Sequence, residues 1–176
     1  DDGSDQGSGL LRQAIAGLLA LLPESMGIFA PNVNSFRRFG PNLYVPTGRT
    51  WGDNHRSVSV RVPAGDMKAR RLEHRMAGAD ANPYLILAAI LSGVHHGLTQ
   101  QLDPPEPRTD NAGGELDPAV PFTWQGALDQ LGSGSILRDY LGASYLDLYR
   151  ECKQFELDAF HKEFTPLEFR WYLSPE

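Results

Sequence analysis

The chain has one cysteine, Cys152, among its 176 residues. No internal disulfide can form, and a lone thiol suits a reducing, intracellular setting. Long hydrophobic runs are also missing: stretches such as Leu85 to Leu91 fall far short of the roughly 20 apolar residues a membrane span needs. The opening Asp-Asp-Gly-Ser-Asp lacks the basic-then-apolar order of a secretory signal. There is no Cys-rich metal spacing and no Ser-His-Asp set. His95 and His96 are adjacent, so on a helix they point about 100° apart and cannot ligate a metal as an i, i+4 pair. Together these absences exclude a disulfide-stapled secreted domain, a helical membrane protein and a zinc module, and they predict a cytoplasmic protein without a membrane partner.

An excess of positive charge is absent too. The formal net charge of −6 argues against a generic polyanion binder. That total conceals an uneven distribution. Residues 37–75 carry eight arginines and Lys68 against Asp53, Asp66 and Glu73, a net of +6, which leaves −12 for the remainder. A stretch so lopsided either solvates its arginines or aims them at an anion. At 41% hydrophobic, the chain can bury a core of its own.

Residues 1–9 are acidic, small and glycine-rich, and read as a flexible lead. Leu10, Leu11, Ile15, Leu18, Leu19 and Leu22 recur at helical spacing, with Pro23 closing that helix and a second short one running from Glu24 to about Ala30. From Thr50 the period changes to two. Val58, Val60 and Val62 point one way and Ser57, Ser59 and Arg61 the other. A second alternating run sets Arg71, Glu73 and Arg75 on one face, and an antiparallel pairing of the two runs is the simplest topology. Asn82-Pro83 starts a helix, apolar nearly all round, that continues to about Gln100. Residues 102–122, with five prolines, read as a long surface loop. Helices follow near 124–131, 135–141 and 144–164, with a tail helix from Pro166; the stripe Tyr145, Leu148, Tyr149, Cys152, Phe155, Phe160 and Phe164 reads as core. The predicted class is α+β: a few antiparallel strands packed with helices, and a helical C-terminal region.

If the two strands pair, Arg61, Arg71, Glu73 and Arg75 share a surface with Arg56 just upstream. Two readings stand. In one, Glu73 is a salt-bridge partner within a solvated arginine face. In the other, the arginines clamp phosphate or carboxylate oxygens while Glu73 helps hold a divalent cation between phosphates. A third use of the basic segment, stacking nucleic-acid bases on Phe36, Phe39, Tyr44 and Trp51, is disfavoured by the acidic flanks.

Four segments carry a family resemblance: Asn34-Ser35-Phe36-Arg37-Arg38-Phe39, Trp51-Gly52-Asp53-Asn54-His55-Arg56-Ser57, Lys68-Ala69-Arg70-Arg71-Leu72-Glu73-His74-Arg75, and Ala79-Asp80-Ala81-Asn82-Pro83-Tyr84-Leu85. Their order and spacing resemble the C-terminal part of a glutamine synthetase catalytic domain. The resemblance covers residues 10–176 and is most specific from Asn34 to Leu85. It implies that Arg38 and Arg75 bind glutamate, that Arg56, Arg61, Lys68 and Arg71 serve ATP and the developing acyl phosphate, and that Glu73 ligates Mg²⁺ or Mn²⁺. It also implies ATP as co-substrate and a ring-shaped homo-oligomer for the full-length protein.

Two departures from the family pattern matter. Ammonia-using members place a glutamate in the flap segment where this chain has Tyr44. A carboxylate attracts ammonium by roughly 4 kcal/mol at 4 Å and an effective dielectric of 20. A tyrosine ring offers a cation–π contact of roughly 0.5–2 kcal/mol and apolar contact for an alkyl chain. The resemblance therefore leans to the branch that joins glutamate to amines or polyamines, with Arg56 and Tyr44 as catalytic residues. Ammonia as acceptor, or an inactive truncated paralogue acting as an interaction module, are the alternatives. The second departure is that the family's N-terminal domain, the first half of its catalytic domain and most of its metal-binding glutamates have no counterpart here, so the isolated chain is expected to be inactive.

Overall fold

A computed structural model describes residues 8–40, 43–66, 68–114 and 116–173. Helix α1 (Gly9–Phe29) is followed by the single turn α2 (Val33–Phe36), three short strands β1 (Trp51–Asp53), β2 (Val60–Val62) and β3 (Glu73–His74), and then α3 (Pro83–Thr99), α4 (Trp124–Ser133), α5 (Ile136–Leu141), α6 (Ala143–Lys162) and α7 (Pro166–Tyr172). The α+β class and the five later helices match the sequence expectation. Residues 1–7 of the acidic lead lie outside the described residues, and Ser8 already caps α1 by accepting from the Leu11 N–H at 3.2 Å.

Pro23 does not end the first helix. It lies inside α1, which runs unbroken to Phe29. An interior proline removes one helical hydrogen bond and costs about 3 kcal/mol, whereas burying a large apolar side chain contributes roughly 1.5–3 kcal/mol. Leu21, Leu22, Met26 and Ile28, all 2% exposed or less, lie on both sides of it, so burial outweighs the defect. From the same segment Glu24 reaches the start of α5, where its carboxylate accepts from Ser135 N–H (3.2 Å) and Leu137 N–H (2.9 Å). That contact supplies the N-terminal partners that Ser135 does not provide with its side chain.

Helix α3 begins as expected: the Asn82 side chain accepts from Tyr84 N–H at 2.9 Å, with Pro83 in the first turn. It crosses α1 at glycines. A Cβ added at Gly97 would lie 2.0 Å from the Gln13 carbonyl oxygen, and one at Gly17 would lie 2.0 Å from that of Gly93. Neither neighbour is a side chain that could swing aside. Gly97→Leu is therefore expected to force the helices apart and to destabilise by about 3 kcal/mol or more, beyond ordinary overpacking. Gly9→Ala, where nothing lies within 4 Å of the added carbon, should leave the denaturation midpoint nearly unchanged. Equal midpoints for the two variants would contradict this packing.

The sheet is mixed rather than wholly antiparallel. β2 is central, parallel to β1 with Gly52 opposite Arg61, and antiparallel to β3 with Arg61 opposite Glu73. Only Glu73 and His74 of the second alternating run are strand. Val58, Val60 and Val62 are buried as expected, but Ser57 and Ser59 are buried as well. Ser57 Oγ accepts from Ala112 N–H at 2.9 Å, and Ser59 Oγ donates to the Gly48 carbonyl. The 102–122 segment, without a helix or strand among its described residues, is thus strapped to the sheet: Trp51 Nε1 donates to the Pro105 carbonyl (2.6 Å) and Arg108 N–H to the Trp51 carbonyl (2.8 Å). Trp51 is fully buried, and Phe36 and Phe39 pack against the main core, so these rings are unavailable for base stacking.

The aromatic stripe on α6 is not core. Leu146 and Leu157 are the buried residues of that helix, while Leu148, Phe155 and Phe164 are largely exposed. Tyr149 alone among the stripe turns inward, donating its hydroxyl to the Gly27 carbonyl at 3.0 Å. Among the described residues, no helix is long and apolar enough to cross a membrane.

Candidate active site

The strand pairing decides which charges meet. With Arg61 opposite Glu73, and Arg75 two residues further along the chain, one carboxylate receives two guanidinium groups. Arg61 Nη1 lies 2.9 Å from Glu73 Oε2 and Arg75 Nη1 lies 2.6 Å from Glu73 Oε1. The Arg75 hydrogen bond is the main cause holding the Glu73 carboxyl below the usual range; burial opposes it, and the Arg61 hydrogen bond adds to it. Arg61 is further tied to Asn54, which adopts a left-handed φ of 51° just after β1, a conformation asparagine tolerates better than most residues. Beside Arg61, a cavity of about 260 Å³ is lined by Asp53, Asn54, residues 62–65 and Arg70.

Arg38 is anchored on the segment that follows β3. Its Nη2 donates to the Met76 carbonyl and its guanidinium sits 4.1 Å from the centroid of the Phe39 ring. Burial lowers its pKa, and the charge of Asp80 opposes that shift. Between Arg38 and the core lies His74, whose ring packs on Phe29 with centroids 4.5 Å apart. Burial, with the charge of Arg38 as second cause, pushes the imidazole down to about 4 and keeps it neutral near pH 7.

Arg38, Arg61 and Arg75 each bury an Nε–H that has no acceptor among the described residues, as does Arg150 on α6. Buried donors are nearly always paired. At Arg61 and Arg75, which share Glu73, these free donors suit a ligand rich in acceptor oxygens.

The remaining expected residues are exposed. Arg56 is exposed and makes no contact with Arg61 or Glu73. Lys68 is exposed in the β2–β3 connection, and Arg71, also exposed, donates to the Ala69 carbonyl at 3.2 Å. Tyr44 is 79% exposed and holds φ at 53°. That left-handed conformation costs about 1–2 kcal/mol for a residue with a Cβ, and such strain concentrates at functional segments. No group of three or more His, Cys, Asp or Glu side chains positioned to hold a metal occurs among the described residues. Glu73, already engaged by two cations, does not make a Mg²⁺ or Mn²⁺ site with the partners present. His95 is occupied with the Tyr140 hydroxyl at 3.0 Å.

Sequence reasoning missed Asp80, Asn32 and Ser35 as members of this site. Asn32 Nδ2 and Ser35 Oγ donate to Asp80 Oδ2 at 3.0 and 2.7 Å, across more than forty residues of chain. The available signal was the presence of Ser35 inside the first motif and of Asp80 inside the fourth.

The family profile described as "Glutamine synthetase, catalytic domain" matches residues 1–172. The gamma-glutamylputrescine synthetase PuuA of Escherichia coli (strain K12) is 42% identical over 173 residues, which is 98% of this chain and 37% of that protein. The gamma-glutamylethanolamide synthetase GlnA4 of Streptomyces coelicolor (strain ATCC BAA-471 / A3(2) / M145) is 34% identical over 163 residues, 93% of this chain and 35% of that protein. Among solved structures, a GmaS/ADP complex superposes with a TM-score of 0.82 at 26% identity, over 98% of this chain and 41% of the other. The chain thus spans well under half the length of the relatives it matches.

Proposed function

Because the chain belongs to the glutamine synthetase family, we propose that it supplies the arginine-lined part of a site that joins glutamate to an amine, with an alkylamine or polyamine as acceptor. The observation that carries this reading is the Arg61–Glu73–Arg75 group, in which two guanidinium groups share one carboxylate, with the half-buried Arg38 held on the Met76 carbonyl just beyond β3. Two anionic groups suit it, the carboxylates of glutamate and the phosphates of ATP.

In the proposed reaction a γ-carboxylate oxygen of glutamate attacks the γ-phosphorus of ATP, and the bond to the β-phosphate oxygen breaks, giving γ-glutamyl phosphate and ADP. The amine nitrogen then attacks the acyl carbon, the C–O bond to phosphate breaks, and the nitrogen loses a proton. Arg38 and Arg75 would hold glutamate, while Arg56, Arg61, Lys68 and Arg71 would offset charge on the transferred phosphoryl group, where positioning and electrostatics supply most of the catalysis. A Mg²⁺ or Mn²⁺ ion bound partly by Glu73 needs more ligands than the described residues provide. The acceptor end is assigned to Tyr44, whose exposed ring in a strained flap suits an alkylammonium better than ammonium. Relatives named for putrescine and ethanolamide products support that choice. A ring-shaped homo-oligomer belongs to the same reading.

The acyl-phosphate step has an isotopic signature. Glutamate labelled with ¹⁸O in its γ-carboxylate, incubated with ATP, putrescine and the full-length protein, should release phosphate carrying one labelled oxygen. Unlabelled phosphate accompanying amide formation would contradict the step. Separately, Tyr44→Glu is expected to raise kcat/KM for ammonia relative to putrescine by about tenfold or more, equivalent to about 1.4 kcal/mol. An unchanged ratio would remove Tyr44 from the acceptor site.

A further inference from the structure

We propose that Asp80 is a positioning residue that fixes Arg38 for its substrate. It acts through a closed hydrogen-bonded triangle with Asn32 and Ser35. Asp80 Oδ2 accepts from both side chains, at 3.0 Å from Asn32 Nδ2 and 2.7 Å from Ser35 Oγ, while Asn32 Oδ1 accepts from Ser35 N–H at 3.1 Å. Ser35 is 3% exposed, so the triangle reaches into the protein.

The triangle is needed because α2 is one turn long and has little stability of its own. Turn-like bonds carry the backbone on through Arg37 N–H to the Asn34 carbonyl and Phe39 N–H to the Phe36 carbonyl, which leaves the direction of Arg38 dependent on where that turn is anchored. The segment bearing Asp80 also receives the far end of Arg38, whose Nη2 donates to the Met76 carbonyl. Residues 76–80 therefore grip the Arg38 segment twice, at the base through Asp80 and at the tip through Met76. The negative charge of Asp80 additionally favours the charged form of Arg38 against burial.

Gly78 makes the arrangement possible. A Cβ there would lie 2.3 Å from Asp80 Oδ1 and 3.6 Å from Arg38 Nε, so any larger residue must displace the carboxylate. Gly78→Ala thus perturbs Asp80 without changing its chemistry, and Asp80→Asn removes its charge while keeping its shape.

The consequence for catalysis rests on the ligase reading, in which Arg38 contacts glutamate. In the full-length enzyme, Asp80→Ala and Gly78→Ala should each raise KM for glutamate about tenfold, within the loss that small misplacements cause. KM for ATP should stay within about twofold, and Asp80→Asn should fall between wild type and Asp80→Ala. A parallel rise in both KM values, or a fall in kcat with KM for glutamate unchanged, would reduce Asp80 to a structural residue and overturn the proposal. A crystal structure of full-length Asp80→Ala decides the positioning claim without reference to substrate. The Arg38 guanidinium should leave the Met76 carbonyl, and finding it in place would overturn the proposal. A wild-type enzyme that does not turn over glutamate, with Arg38 displaced in the variant, would refute the ligase reading while upholding the role of Asp80.

Discussion

Arg56→Ala in the full-length protein is expected to lose on the order of 10³-fold or more in turnover, the effect of removing an arginine that stabilises a phosphoryl-transfer transition state. The thermal midpoint should hardly move. Arg56 is exposed, in the connection between β1 and β2, and has no hydrogen-bond or ion-pair partner among the described residues. Exposed substitutions of that kind usually change stability by no more than about 0.5 kcal/mol. Comparing steady-state ligation with a melting curve separates the two quantities. Near-normal activity would sink the assignment of Arg56 to the phosphoryl group.

The second large effect belongs to Glu73. Replacing it by alanine leaves Arg61 and Arg75, whose side chains are 16% and 22% exposed, without their shared carboxylate. The two guanidinium groups then repel each other and lose their common alignment. A fall of about 10²-fold in turnover is expected, comparable with the removal of one preorganised electrostatic contact. Glu73→Gln separates the two roles that the sequence left open. If the carboxylate only aligns the arginines, Gln restores much of the rate, because its carbonyl still accepts one N–H, and the Mn²⁺ concentration for half-maximal activity is unchanged. If Glu73 is also a metal ligand, as the family resemblance implies, that concentration rises. The rise is the expected result, and measuring activity across a Mn²⁺ titration checks it.

Where local chemistry dominates, the fold was legible in the sequence. Asn82-Pro83 marks a helix start by capping and by the fixed φ of proline, and the later helices follow from periodicity. The opposition of Arg61 and Glu73 follows from alternation once an antiparallel pair is assumed. Elsewhere tertiary packing overrode the local signal. Pro23 reads as a stop, yet α1 continues because the residues on both sides of it are deeply buried. The α6 stripe reads as core, yet periodicity reports only that apolar side chains share a face and not whether anything covers it; Phe155 and Phe164 are more than three-quarters exposed. The buried Ser57 just before β2 and the strap of residues 102–122 depend on contacts between segments some fifty residues apart, which no local pattern encodes.

The candidate site divides along the same line. Arginines and a glutamate in motif order are a sequence-level signal, and the structure brings Arg61, Glu73 and Arg75 into direct contact, with Arg38 held on the loop that follows β3. Arg56, Lys68, Arg71 and Tyr44 sit apart from that cluster and face outward, so their roles rest on the ligase reading rather than on contacts within this chain. Asp80 escaped notice because its partners, Asn32 and Ser35, precede it by more than forty residues and because a carboxylate before a helix start has ordinary uses in loops.

The central claim is that these residues serve a ligase that joins glutamate to an organic amine. The most direct measurement is glutamate-dependent ADP release by the full-length protein with putrescine, ethylamine and ammonia as competing acceptors, followed by identification of the amide formed. A higher kcat/KM for putrescine or ethylamine than for ammonia is expected, with a γ-glutamyl amide as product; a clear preference for ammonia, with glutamine as product, would refute the claim.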